Sequence, residues 1–323
     1  MRIGAFVFSG TAVAIYGADR GVLRGVVLIL SWICIASGAA MAADVQDMLG
    51  RRISIPDRPL RLVSLAPSIT ETAYALGREG WLVGVTAVCD YPPAARALPR
   101  VGGIAAPSLE QVMRLRPDLV LLTAEGNSRE TMGQLERLGL ATFALRPDSY
   151  EGVLESILAM GRALAAEVSA GRVVEGIRDR VRLVRERVAG RSRPSVLYLI
   201  WGDPPIAAGA GSYLHDLLTL AGGRSIVWER AVPYPRLNWE QIVGRAPDVI
   251  LRADHREGAE SAGPVRAVPP EWIAWQAVPA IRTGHVVSVP GNTILRPGPR
   301  IDDGVSLLAR SIHPSAFDAQ GAR

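Results

Sequence analysis

Two stretches 130 residues apart carry the same order of polar and apolar positions: EQVMRLRPDLVLL at 110–122 and EQIVGRAPDVILR at 240–252. Each opens on a polar capping residue, Ser108 or Asn238, runs on as one short helix, and meets a proline, Pro117 or Pro247, that cannot continue it. The apolar run after each proline has the length and composition of a strand buried on both faces of a parallel sheet. The same grammar extends outwards. Residues 61–65 (RLVSL) and 195–200 (SVLYLI) read as the first strand of each half, and each is followed by a helix. Ser68 with Glu71 gives the first of these a capping-box pattern and Gly77 a stop, while Ser212 caps the second and Gly222-Gly223 ends it. Strands alternating with helices predict parallel sheets. The fold class is therefore α/β, two Rossmann-like lobes at 43–149 and 193–323.

Between the lobes, from Tyr150 to Val188, there is no proline, and Val173, Ile177, Val181, Val184 and Val188 recur at helical spacing. This predicts one long linking helix within 150–192, stiff enough to permit only small closure of the lobes. The phrase Arg178-Asp179-Arg180-Val181-Arg182 reads as its solvated face. Residues 1–42 differ from the rest. Arg20 and Arg24 precede the apolar run Val26–Ile35, and small residues lead to Ala40-Met41-Ala42, which is the order of a cleavable signal peptide. The expectation is export to the periplasm with cleavage after Ala42. Retention of the segment as a membrane anchor is the alternative, although Val26–Ala42 is shorter than the ~20 apolar residues a span requires.

Composition narrows the function. The chain has 323 residues, 49% of them hydrophobic, and a formal charge of +5. Losing residues 1–42 removes Arg2, Arg20 and Arg24 against Asp19 and leaves +3, too small a surplus to point to nucleic acid. It also removes Cys34, so Cys89 is left without an intramolecular disulfide partner. The four histidines, His215, His255, His285 and His313, are scattered with no i,i+4 pair, and they form no zinc motif. Gly202, Gly209 and Gly211 lack the lysine and hydroxyl of a phosphate loop, and no serine stands in a nucleophile elbow. No catalytic residue, metal site or cofactor is expected. A chelatase or nitrogenase-type metallocluster protein shares such a two-lobed architecture, but it needs cysteine or histidine ligands that are missing here.

RLVSLAPSITETAYALG, VCDYPPAARALPRVGG, the two Glu-Gln phrases, WGDPPIAAG and RPGPRIDDG together resemble the helical-backbone periplasmic binding proteins, and among these the cobalamin-binding branch. The resemblance covers nearly all of the chain after residue 42. It implies a solute-binding component of an ABC importer, with cobalamin or a related corrinoid held between the lobes. It also implies delivery to a permease dimer in the inner membrane with its ATPase, the binding protein itself being a monomer. A ferric siderophore or haem is the alternative cargo. A membrane-anchored receptor or scaffold is the alternative role.

Several residues take roles from this resemblance. Tyr91 sits in a rigid Asp-Tyr-Pro-Pro turn after the strand Val83–Val88, at the edge where α/β proteins bind ligands. Trp201 follows the first strand of the second lobe, and Tyr234 stands between Pro233 and Pro235. All three match aromatic positions of the family's cleft and suit a large planar ligand. Asn292, Thr293, Ile294, Leu295 and Arg296 align with a stretch that touches the ligand, Arg296 being its polar end. Ile104 and Thr293 replace residues that the cobalamin branch can fill with tryptophan. Glu110 and Glu240 match the acidic residue that each lobe offers to arginines of the permease. Their repetition at equivalent places suits a receiver with near two-fold symmetry.

Overall fold

An antiparallel hairpin of β1 (Ala42–Gln46) and β2 (Arg52–Pro56) opens the described part of the chain. Its turn is fastened by Asp47, whose carboxylate accepts from the Leu49, Arg51 and Ala144 amides at 3.0, 2.9 and 3.2 Å. The computed structural model describes residues 42–56, 61–229, 232–256, 259 and 264–317, which belong to one compact unit. The expected signal segment, with Cys34, lies outside the described residues except at Ala42.

In the first half β3 (Leu62–Ser64), α1 (Pro67–Ala75), β4 (Leu82–Val85), α2 (Leu109–Arg114), β5 (Leu119–Thr123), α3 (Arg129–Arg137) and β6 (Thr142–Leu145) build a four-stranded parallel sheet in the order β4-β3-β5-β6. Next come α4 (Tyr150–Ala163) and α5 (Glu167–Val188). In the second half β7 (Ser195–Gly202), β8 (Pro205–Ala207), α6 (Tyr213–Leu220), β9 (Arg224–Ser225), α7 (Trp239–Arg245), β10 (Val249–Asp254), β11 (Val265–Arg266), α8 (Pro279–Arg282), β12 (Val286–Pro290), α9 (Gly291–Ile294) and α10 (Ile301–Ile312) surround a sheet ordered β11-β12-β10-β7-β8, with β9 also on β7. Its centre is parallel, but β8 and β11 are antiparallel, so the second sheet is mixed where a parallel one was expected. Both additions are strands of two or three residues at the two ends of the strand order, too short to leave a periodic signal in sequence.

The repeat in sequence is a repeat in structure. Ser108 and Asn238 accept from the Gln111 and Gln241 amides at 3.3 and 2.8 Å, and both helices end on a left-handed residue before the proline, Arg116 (φ 45°) and Ala246 (φ 46°). A residue before proline is pushed away from the helical region, which accounts for the shared ending. Asp118 and Asp248 then accept from the amide that opens the neighbouring strand, Arg61 at 3.0 Å and Ser195 at 2.9 Å. The strands bury both faces: Leu119 and Leu121 face the inner core, while Val120 and Leu122 face the layer containing Val112 and Leu135.

Two expectations are corrected. The connector is two helices, not one. The chain breaks at Leu164-Ala165-Ala166, with Ala165 at φ 48°, and α4 and α5 fold back on each other so that Gly161 lies against Ala170 and Arg178 reaches Glu151 at 3.3 Å. The break contains neither proline nor glycine, so nothing in the composition marks it. The proposed caps of the first helix in each half also differ. α1 starts at Pro67 after Ala66 with no side-chain cap, and Ser212 gives its hydroxyl to the Gly209 carbonyl at 2.8 Å instead of capping α6. Between the two sheets, α4 and α5 carry Ile157, Val174 and Ile177 into one core that runs from Leu62 and Leu119 to Val196 and Leu251.

Candidate ligand cleft

Both sheets point their strand ends at the same space, which is where α/β proteins bind ligands. A cavity of about 520 Å³ lies there, open to solvent and mostly apolar, with walls from both halves. The first half contributes the start of α1 (Ala66, Pro67, Ser68), Val88, Ile104 and the turn Thr123–Gly126. The second half contributes Ile200, Ile206, Tyr213, Leu214, Tyr234, Asn292, Leu295 and Arg296.

The turn after β5 is built tightly. Asn127 accepts from the Thr123 amide at 2.9 Å and donates to the carbonyls of Ile104 and Leu65 at 2.8 and 3.3 Å, while the Gly126 amide donates to the Thr123 hydroxyl at 3.2 Å. A Cβ on Gly126 would lie 2.7 Å from that hydroxyl, so glycine is needed here. This turn presents Glu125 to the cavity. Glu125 is exposed to the cleft, and the protein around its carboxyl, followed by the nearby Asp148, raises its pKa above the usual carboxylate range. Across the cleft, Tyr234 sits in a strap held by its two prolines. The Gly209 amide donates to the Pro233 carbonyl at 2.8 Å and the Ala207 amide to the Pro235 carbonyl at 3.0 Å. Burial, and then the charge of Glu125, drive the Tyr234 hydroxyl far above its ordinary range. The two side chains line the same cavity from opposite halves.

Arg296 lines the cavity, but its guanidinium is already engaged. It donates to Glu71 at 3.2 Å, to Asp90 at 2.6 Å and to the Val88 carbonyl at 3.2 Å, and is 8% exposed. Arg300 adds two bonds to Glu71 at 2.8 Å each. Burial opposes ionisation of Asp90, yet the bond from Arg296 holds its carboxyl below the usual range. Two arginines and two acids thus form a balanced cluster under one wall of the cleft. Glu71, predicted to be a cap residue, is instead its buried centre.

The other expected contacts are spread out. Asn292, Leu295 and Tyr234 are in the wall. Thr293 and Ile294 face inwards, 7% and 1% exposed, and the Ile294 carbonyl accepts the Tyr213 hydroxyl at 3.1 Å. Tyr91 stands outside the cavity wall with Arg300 over its ring. Trp201 is not in the wall; it follows the wall residue Ile200 and is half exposed, its ring 5.3 Å from that of His255, while the His255 Nε2 lies 2.7 Å from the Ile200 carbonyl. Glu110 and Glu240 are exposed at the first turns of α2 and α7, Glu110 pairing with Arg114 at 2.7 Å. Among the described residues no group of three or more His, Cys, Asp or Glu side chains gathers as a metal site.

Residues 62–293 match the periplasmic binding protein family. The chain belongs to that family. A vitamin B12-binding protein of Yersinia pestis is 32% identical over 222 residues, 68% of this chain and 77% of the relative. The crystal structure of the periplasmic vitamin B12 binding protein BtuF of Vibrio cholerae is similar at a TM-score of 0.69 with 27% identity, covering 80% of this chain and 98% of that one. A periplasmic heme binding protein from Pseudomonas aeruginosa also has a TM-score of 0.69, with 26% identity, covering 80% and 94%. Periplasmic binding proteins are carriers, not enzymes, so a bound molecule here is cargo and not a cofactor. Membership in the family implies a periplasmic location and a permease–ATPase partner.

The apolar wall residues Val88, Ile206 and Leu214 are among those that the sequence does not single out, and Glu125 is the charged one. A signal for it was present: it follows the strand LVLLT directly, at the same sheet edge that drew attention to Tyr91.

Proposed function

We propose that this binding protein captures a corrinoid of the cobalamin type between its two halves and hands it to the permease of an ABC importer. The observation that carries the reading is the cleft itself, a cavity of about 520 Å³ with apolar walls from both sheets and a few polar groups at fixed places. Tyr234 in its wall, and the exposed Trp201 next to the wall residue Ile200, suit a broad, partly apolar ring system. The likeness to vitamin B12-binding proteins selects a corrinoid among such ligands. Isothermal titration of the purified protein with cyanocobalamin, a ferric siderophore and haem tests it. Tight one-to-one binding of cyanocobalamin alone is expected, and binding of haem or the siderophore in its place overturns the cargo. Haem is the second reading, favoured by the likeness to a heme binding protein.

The same proposal gives Glu110 and Glu240 the docking role. Both project from the first turn of equivalent helices, exposed and free of any buried partner. It includes export by way of residues 1–42, for which the mass of the periplasmic form is the test.

A further inference from the structure

Charge is distributed unevenly around the cleft. Arg296 faces the cavity with its guanidinium committed to Glu71, Asp90 and the Val88 carbonyl, and Arg300 behind it is committed to Glu71. Beside Pro147 of the opposite wall, Arg146 is paired with Asp148 at 2.8 Å. Arg296, the arginine in the wall, is thus held by carboxylates of the cluster. Glu125 is in none of the ion pairs among the described residues, and Arg146, whose charge reaches it, is bonded to Asp148. The other polar groups in the wall, Ser68, Thr123, Tyr213, Tyr234 and Asn292, are neutral. A molecule that fills the cavity meets in its wall one carboxylate without an ion pair and one arginine already engaged.

We propose that Glu125 fixes the charge class of the cargo, so that the cleft accepts a metal chelate whose rim carries amide or hydroxyl donors and rejects one whose rim carries carboxylates. This rests on the corrinoid reading and deepens it. A rim carboxamide donates to the Glu125 carboxylate where that side chain faces the cavity, so the acid keeps a hydrogen-bond donor when the cargo displaces water. A rim carboxylate in the same place leaves two like charges adjacent in a partly walled site, with neither satisfied. Selection by repulsion suits a shallow apolar cleft, because apolar contact alone separates chelates of similar shape poorly.

The test is calorimetric titration of the full protein with cyanocobalamin and with each of its monocarboxylates, in which a single peripheral carboxamide is hydrolysed to the acid. Wild-type protein is expected to bind at least one of these acids about tenfold more weakly than cyanocobalamin, a factor set by one like-charge contact at partial burial. Glu125→Gln brings that ratio towards one, whereas Glu125→Asp, which keeps the charge, retains most of it. A thermal melt of each variant checks the fold. Acids that all bind wild type as well as the amide does, or a ratio that survives in Glu125→Gln, overturn the inference and leave the corrinoid reading standing. Wild-type protein that binds no corrinoid overturns both.

Discussion

Arg300 lies over the ring of Tyr91, its guanidinium carbon 3.8 Å from the ring centroid, while its edge bonds Glu71. One face of Tyr91 is thereby covered, and the tyrosine is joined to a buried carboxylate that also holds Arg296. Breaking such a cluster by deleting one member leaves charge buried and unanswered, at a cost of about 3–5 kcal/mol. Glu71→Ala is expected to lower the free energy of unfolding by this amount, and Glu71→Gln by less, because the amide oxygen still accepts. Urea denaturation measures both; a loss under about 1 kcal/mol for the alanine variant rules out a structural role for the cluster.

The aromatic residues are expected to contribute unequally to binding. Tyr234 lines the cavity; Trp201 is outside the wall but follows the wall residue Ile200 with its ring half exposed, whereas Tyr91 is outside with one face covered. Aromatic contacts of this kind are worth about 0.5–1.5 kcal/mol beyond area burial, or roughly two- to tenfold in affinity. Tyr234→Ala should weaken cyanocobalamin binding most, Trp201→Ala less and Tyr91→Ala least. Titration of the three variants gives the order, and a larger loss for Tyr91 than for Tyr234 moves the cleft.

Docking separates from cargo capture. The double variant Glu110→Ala with Glu240→Ala is expected to retain cyanocobalamin affinity while losing at least about tenfold in its apparent affinity for the reconstituted permease–ATPase, since rim charges act chiefly on encounter and register. Ligand-dependent ATPase stimulation reads the second quantity. Unchanged stimulation leaves both glutamates as first-turn helix residues and nothing more.

Burial and Asp148 raise the pKa of Glu125, so the folded chain holds a proton there in a range where the unfolded chain has released it. Stability contributed at this position is therefore present at low pH and lost as pH rises from the ordinary carboxylate range through the raised value. Glu125→Gln does not titrate and should gain on wild type across that interval. Urea unfolding at about pH 4 and about pH 7 brackets it, and an equal gain at both contradicts the shift.

The duplicated helix-to-strand steps were legible because each is local: a cap, a proline and an apolar run within about a dozen residues. Tyr234 was legible for the same reason, its two prolines making a fixed turn. Arg296 was found as a residue but not as a role, since its partners Glu71 and Asp90 are over 200 residues away in the chain. The turn at Ala165 was invisible because an alanine there takes a conformation that composition does not announce. Glu125 was passed over because a lone acid after a strand reads as solvated surface until the opposite half is in place.

The contacts that gather Arg296 and Arg300 onto Glu71, Asp90 and Val88 span 2.6 to 3.2 Å. Bonds of this length weaken steeply when stretched. Four of the five, however, join opposite charges, whose attraction reaches well beyond the hydrogen-bond length. The cluster is thus a clasp between the second half, which supplies both arginines, and the first, which supplies both acids: parting the two there would strip the partners from four charged side chains at once.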